Sequence, residues 1–358
     1  MAQIDEFLKL AQERGASDLH LSPNATPMAR VNGEVVPLTD QRISRDALEL
    51  LLFEITDPAA RIRFEQTKEV GFAYELQGVV RARCSLYEQS RGIAGAFRLL
   101  AAEVPSFGDL DLPRSIGDLV TRPCGLVVVC GPAGSGRSST LAALVDHVNR
   151  TLCCHIVTLE DPIEFRHTGH SALVDQREIG RHTPGIAQGV QAALHGDADV
   201  IAAGEPQGAE TMEVVLNAAS GRLVLLTLTA SSAVHAVDTI IDVFPAERRP
   251  RAAKLLADSL VAVLRQRLLP RADRPGRVLA LELLLGTSAA ATLIREQRTS
   301  QLETLLRNSD GDGMQCMDHA VLALERDGIV AAGGTSVRTA RPALTSADPS
   351  DDSLSEAA

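Results

Sequence analysis

Gly131-Pro-Ala-Gly-Ser-Gly-Arg-Ser138 is the stretch of sequence that decides the fold. It follows an apolar, β-branched run at 126–130, typical of a buried strand, and it precedes a helical pattern at 140–148. Glycines let the backbone aim successive N–H groups at an anion, and the N-terminus of the helix adds positive potential. The order of strand, glycine-rich loop and helix therefore predicts a phosphate-binding loop. A glycine-rich turn without a ligand is the alternative.

The predicted phosphate contacts are the loop and the first turn of the helix, that is Gly131, Pro132, Ala133, Gly134, Ser135, Gly136, Arg137, Ser138, Ser139 and Thr140. Ser138 supplies the hydroxyl that such loops offer to Mg²⁺. Arg137 stands where these loops carry lysine, and a planar guanidinium on a longer side chain does not reproduce a compact ammonium. We therefore expect nucleotide binding with weakened hydrolysis, because phosphoryl transfer depends on positioning and electrostatics.

Carboxylates follow two further predicted strands. Glu160-Asp-Pro-Ile-Glu164 begins after the strand 155–159, and Gly204-Glu205 closes the strand 199–203. Ligands of open α/β sheets bind at the carboxyl ends of the strands. Glu164 is thus a candidate base for the attacking water, and Glu205 is a candidate to face Mg²⁺. A solvated acidic turn and an ordinary acid at a strand end are the respective alternatives.

The predicted strand at 223–228 carries polar residues at both of its ends. Thr227 and Thr229 either sense the γ-phosphate or cap the helix that follows. Arg222 is a candidate to supply a charge beside the nucleotide that Arg137 positions poorly. None of the nine histidines has a partner at a spacing typical of metal ligands, so we expect no histidine metal site.

The pattern of elements predicts two domains in the 358 residues. Residues 1–100 alternate short strands, with a turn at Asn32-Gly33, and helices, which predicts an α+β domain. Residues 101–114 contain proline and glycine and form the predicted linker. Residues 115–330 alternate strand and helix, which predicts a mostly parallel sheet. Residues 331–358 lack periodicity and are predicted to be a disordered tail.

The carboxyl-terminal part of the second domain is predicted to be helical, at 252–269, 288–306 and 316–327.

Composition limits the classes of function. The net charge of −11 argues against a protein whose main partner is nucleic acid. The acidic N-terminus does not resemble a signal peptide, and no apolar run is long enough to cross a membrane. The six cysteines lack C-x-x-C spacing and are expected to be buried, reduced thiols. We therefore expect a cytoplasmic protein that reaches a membrane only through partners.

The motifs, taken in order, resemble the secretion-type ATPases, and within them the PilT/PilU group of type IV pilus retraction (twitching motility) motors. The resemblance runs from about residue 1 to 330 and rests on the loop, both acidic motifs, and the stretches 18–21, 28–34, 176–178, 192–194 and 240–247. It implies a PAS-like N-terminal α+β domain, a RecA-like C-terminal P-loop domain and ATP bound between them. It also implies a homo-oligomeric ring, hexameric or mixed with a PilT-type paralogue, that works with an inner-membrane platform protein of the pilus.

The resemblance also assigns roles to residues. It implies that Glu164 is the catalytic glutamate of the Asp box and that Glu205 is the Walker B glutamate. Arginines of the N-terminal domain approach nucleotide in this family, and the candidate arginine fingers in this chain are Arg81, Arg83, Arg91 and Arg98.

The chain departs from the family pattern at several positions. In addition to Arg137, this chain has Arg222 and Thr229 at the positions of the two histidines of the family's His box. Ala291 replaces an arginine of the retraction-associated helix. Two functions therefore remain open: a slow motor ATPase, or a subunit that does not hydrolyse ATP and acts structurally or as a regulator. An assembly motor is disfavoured because such relatives add a four-cysteine zinc module that this chain lacks.

Overall fold

The computed structural model describes residues 2–31, 34–100, 103–274, 276–308 and 313–333. The predicted turn at Asn32-Gly33 and nearly all of the predicted tail lie outside these ranges. Within them, the helices are too short or too polar to cross a membrane. All six cysteines are free thiols, but the expectation that they are buried holds for only half of them, since Cys124 and Cys153 are exposed and Cys154 is partly exposed at strand ends.

The amino-terminal part of the chain is an antiparallel sheet packed against helices. Its elements are α1 (Ile4–Glu13), β1 (Ala16–Leu21), β2 (Met28–Val31), β3 (Glu34–Pro37), α2 (Arg45–Glu54), α3 (Pro58–Thr67), β4 (Glu69–Leu76), β5 (Val80–Gln89) and β6 (Gly92–Leu100). The six strands lie in the order β3-β2-β1-β6-β5-β4. Helix α1 buries Ile4, Leu8 and Ala11, which share one face because they are spaced four and three residues apart.

The carboxyl-terminal half is an α/β sheet. It contains α4 (Ser115–Leu119), β7 (Gly125–Cys130), α5 (Arg137–Thr151), β8 (His155–Glu160), β9 (Leu173–Glu178), α6 (Ile186–His195), β10 (Val200–Ala203), α7 (Gly208–Ala219), β11 (Leu223–Leu228), α8 (Ala233–Asp242), α9 (Arg249–Ser259), β12 (Leu260–Pro270), β13 (Arg277–Leu285), α10 (Ser288–Arg295), α11 (Ser300–Asn308) and α12 (Met317–Arg326). The order of the strands is β13-β12-β7-β11-β10-β8-β9, and only the β12–β13 pair is antiparallel.

These two sheets confirm the predicted class, α/β with a PAS-like α+β unit followed by a RecA-like P-loop sheet. Strand β7 lies between β12 and β11, and all six of its residues are buried. A strand covered on both faces requires such a continuous apolar run, because no side chain of the strand meets solvent. The residue bounds that we assign to the domains and the linker stay a prediction.

The predicted helix at 252–269 is wrong in its second half. Helix α9 ends at Ser259, and Leu260–Pro270 form strand β12, which pairs with β7 and β13. An apolar run that is buried on all sides has no helical or strand periodicity, so only its valines favoured the strand. The helix predicted at 288–306 is two helices, separated near Gln297, whose φ of 55° is left-handed.

Candidate functional site

The loop between β7 and α5 has the backbone of a phosphate-binding loop. Gly131, Gly134 and Gly136 have φ values of 157°, 76° and 90°, which side chains other than glycine rarely adopt. Helix α5 begins at Arg137 without a side-chain cap, so the first N–H groups of a 15-residue helix stay available to an anion. The ten predicted contacts from Gly131 to Thr140 form this loop and the first turn of α5, and their binding role stays a prediction.

Strand β12 holds this loop from behind. The Gln266 side chain, which is 1% exposed, donates from Nε2 to the carbonyl oxygen of Ser135 at 2.7 Å. A Cβ on Gly131 would lie 2.6 Å from the Gln266 carbonyl oxygen, a distance that excludes any residue except glycine. Gln266 is not among the residues predicted from sequence, because the segment that forms β12 is predicted to be helical.

Arg137, the first residue of α5, contacts side chains that follow two strands of the sheet, β10 and β11. Its Nη1 donates to Thr229 Oγ1 at 2.7 Å and lies 3.3 Å from Glu205 Oε2. Thr229 in turn donates its hydroxyl to the same Glu205 oxygen at 2.6 Å. Arg137 and Thr229, two of the departures from the family pattern, are therefore in direct contact.

The donor types for Mg²⁺ are present, but one of them is already engaged by other side chains. Ser138 and Glu205 both line the cavity and are the hydroxyl and carboxylate that a nucleotide-bound magnesium ion takes from such a fold. One Glu205 oxygen, however, already accepts from a guanidinium and from a hydroxyl. The carboxylate is thus partly neutralised without a metal.

Glu164 and Glu205 line one cavity of about 620 Å³ at the carboxyl edge of the sheet. Glu160, at the start of the acidic turn, also lines this cavity. Its carboxylate accepts from Thr158 Oγ1 at 2.7 Å and from Gln176 Nε2 at 3.2 Å. Burial raises the pKa of Glu160, and these two hydrogen bonds oppose that rise. The predicted alternative for Glu164, a solvated acidic turn, does not describe a half-buried side chain that faces a cavity.

His167, which follows the acidic turn, also lines the cavity. Burial lowers the pKa of His167 to about 4, so the ring is neutral at physiological pH. Its Nδ1 is buried and has no hydrogen-bond partner among the described residues. Its backbone N–H donates to Gln176 Oε1 at 2.9 Å, which fixes the chain at this point.

The four candidate arginine fingers lie in different surroundings. Arg83, on β5, lines the cavity. Arg81 is 12% exposed and pairs with Glu75 at 3.2 Å and Glu178 at 3.9 Å. Arg98 pairs with Asp18 at 3.2 Å, and Arg91 is exposed in the turn between β5 and β6. Within this single chain only Arg83 reaches the cavity, and the finger role of all four stays a prediction.

Two interpretations of the strand 223–228 change. Helix α8 is capped by Ser232, whose side chain accepts from His235 N, so neither Thr227 nor Thr229 caps it. The proposal that Arg222 compensates for Arg137 is wrong. Arg222 precedes β11, where it accepts at its carbonyl from Gly125 N and pairs with Asp197, at the opposite edge of the sheet from the loop. Parallel strands bring only their carboxyl ends to the ligand.

Comparison with known proteins gives consistent matches. The sequence pattern of the family described as "Type II/IV secretion system protein" matches residues 106–328. The type IV pilus retraction ATPase PilT of Pseudomonas aeruginosa is 38% identical over 328 residues, which are 91% of this chain and 95% of that protein. The type IV pilus ATPase PilU of the same organism is 33% identical over 351 residues, 98% of this chain and 90% of that protein.

A solved structure gives the same result. The pilus retraction motor PilT with bound ADP superimposes with a TM-score of 0.85 at 36% identity, and the match covers 93% of this chain and 96% of that one. The match therefore includes both sheets and the loop between β7 and α5.

Proposed function

Because this chain belongs to the type II/IV secretion system protein family, we propose that it is an ATP-binding motor subunit of a type IV pilus retraction machine, with weakened ATP hydrolysis. The observation that carries the proposal is the cavity itself. It brings the start of α5, Glu164 and Glu205 together with Arg83 of the other sheet. Because both sheets contribute residues to this cavity, a bound nucleotide contacts both of them and favours the relative orientation that it binds best.

Each group has a proposed task. The uncapped N–H groups of α5 and the loop hold the phosphates of ATP. Glu164 orients the water that attacks the γ-phosphate, and Arg83 senses the phosphate from the N-terminal sheet. Arg137 weakens hydrolysis because its guanidinium, held at Nη1 by Glu205 and Thr229, cannot move with the γ-phosphate in the transition state as a lysine ammonium does.

The assembly we propose rests on the similarity to PilT and PilU, which are named as type IV pilus ATPases. We propose a ring of six copies, or a ring mixed with a PilT-type paralogue, that works from the cytoplasm on a platform protein of the inner membrane. We infer contact with the membrane only through that partner.

A second function is favoured by one observation, the contact between Arg137 and Glu205. If this contact persists when nucleotide is bound, the site binds ATP without turnover, and the chain acts as a structural or regulatory subunit of the pilus ring.

Phosphate release from ATP by the purified protein, with MgCl₂ present, separates the two functions. We expect slow release that E164Q abolishes, since this change removes the charge and preserves the shape of the side chain. R137K is expected to raise the rate by about tenfold or more, because a single well-placed charge on a transition state is worth roughly 10²-fold. Bound nucleotide without release in the wild type and in R137K would support the second function. Absence of nucleotide binding would contradict both.

A further inference from the structure

We propose that Arg137 is a built-in cation that replaces the divalent metal in nucleotide binding, so that this chain binds nucleoside diphosphate and triphosphate without Mg²⁺. The inference rests on the proposed function, since it concerns the same site. It concerns binding alone and makes no claim about the chemical step.

Three side chains form a closed hydrogen-bonded triangle at this point. The guanidinium contacts Thr229 Oγ1 at 2.7 Å and Glu205 Oε2 at 3.3 Å, and Thr229 bridges to the same carboxylate oxygen at 2.6 Å. The Arg137 side chain is 20% exposed and that of Glu205 is 34% exposed. Charges that are partly withdrawn from water interact more strongly than exposed ones, so the pair is more than a surface contact.

The triangle uses one of the two groups that a metal would need, the Glu205 carboxylate. Glu205 lies two residues after the end of β10, and it lines the same cavity as Ser138, the hydroxyl that follows Arg137. A metal ion that enters here must displace a guanidinium or share one carboxylate with it. Like charges this close repel each other, and a guanidinium stays protonated at any physiological pH.

The guanidinium can also do what a metal does for phosphate. It carries five N–H donors, and its contacts with Glu205 and Thr229 both use Nη1. The planar fork of arginine matches phosphate oxygens in a bidentate manner, which a lysine ammonium cannot do. Nucleotide charge is then neutralised by the loop N–H groups, the start of α5 and Arg137 together.

The test is the affinity for ADP, measured by titration calorimetry with MgCl₂ and then with EDTA, because ADP binding is read without turnover. For the wild type we expect the two dissociation constants to agree within about twofold. For R137K we expect chelation to weaken binding by about tenfold or more, since the shorter ammonium leaves Glu205 to the metal. T229V, which removes the bridging hydroxyl without changing the loop, is expected to lie between them.

The outcomes distinguish the two proposals. If the wild type binds ADP but loses affinity on chelation as strongly as R137K does, the built-in cation is wrong and the proposed function stands. If neither the wild type nor the variants bind ADP under either condition, although circular dichroism shows them folded, the proposed function is wrong. T229V provides the same comparison should R137K fail to fold.

Discussion

At the carboxyl edge of the seven-stranded sheet, individual side chains are held by one or two neighbours each. Glu160 is held by Thr158 and Gln176, and Glu205 by Arg137 and Thr229. The residue types could be predicted from sequence because each belongs to a short motif with a known order. The contacts could not, because Arg137 and Thr229 are joined only by the order of the strands, which local sequence does not specify.

His167 makes the stability of the fold depend on pH. Its folded-state pKa is about 4, whereas an unfolded chain has the ordinary value of 6.5. Between these values the unfolded chain binds the additional proton, so the free energy of unfolding falls as the pH is lowered through this range. H167Q is expected to remove this loss, which amounts to at most about 1.4 kcal/mol per pH unit.

Urea unfolding of the wild type and H167Q between about pH 7 and 4.5 measures this difference. H170Q is the matched control, because His170 lies in the same loop but is exposed, and this variant should follow the wild type. If H167Q loses stability in parallel with the wild type over this range, the assignment of a neutral, partly buried ring is wrong.

Helices and strands could be predicted where buried and exposed residues alternate along the chain, and they were ambiguous where all residues are buried. Helix α1 has a periodic pattern of apolar residues, and strand β7 is followed by the glycine-rich motif, so both could be predicted. Strand β12 has no such signal, because five consecutive residues from Leu260 are buried, and the predicted helix therefore continues through it. This error also affects the predicted site, because Gln266 of β12 donates a hydrogen bond to the phosphate-binding loop.

Helix α5 is joined to the segment after the acidic turn by Asn149, which is fully buried. Its Nδ2 donates to the Thr168 carbonyl at 2.8 Å, and its Oδ1 accepts from His170 N at 2.9 Å. N149A leaves both backbone groups without their partner, so we expect the free energy of unfolding to fall by about 1–3 kcal/mol. N217A, at an exposed position of α7, should change it by less than about 0.5 kcal/mol in the same urea titration. Equal effects of the two would contradict the joining role.

At the scale of the whole molecule, the two sheets meet in a cluster of ion pairs. Glu75 of β4 accepts from Arg81 at 3.2 Å and from Arg166 at 2.8 Å. Arg81 also lies 3.9 Å from Glu178, whose carboxylate accepts from Ile163 N at 3.3 Å. Ile163 directly precedes Glu164 in the chain. The sequence identifies Arg81 only as a basic residue of the first domain. Its ion pair with Glu178 depends on how the two sheets pack against each other, which the sequence does not show.

This cluster predicts that the amino-terminal sheet stabilises the backbone beside Glu164. Burial lowers the pKa of Arg81, and only its acidic partners offset that cost. We therefore expect R81A to raise hydrogen exchange of the amides at 160–165 by about tenfold, because a partly buried acid loses its partner. R166A is the matched control. Arg166 shares Glu75 but its side chain is 69% exposed, and exposed pairs contribute about 0–1 kcal/mol. Exchange that rises equally in both variants, or in neither, would show that the sheet does not hold this turn.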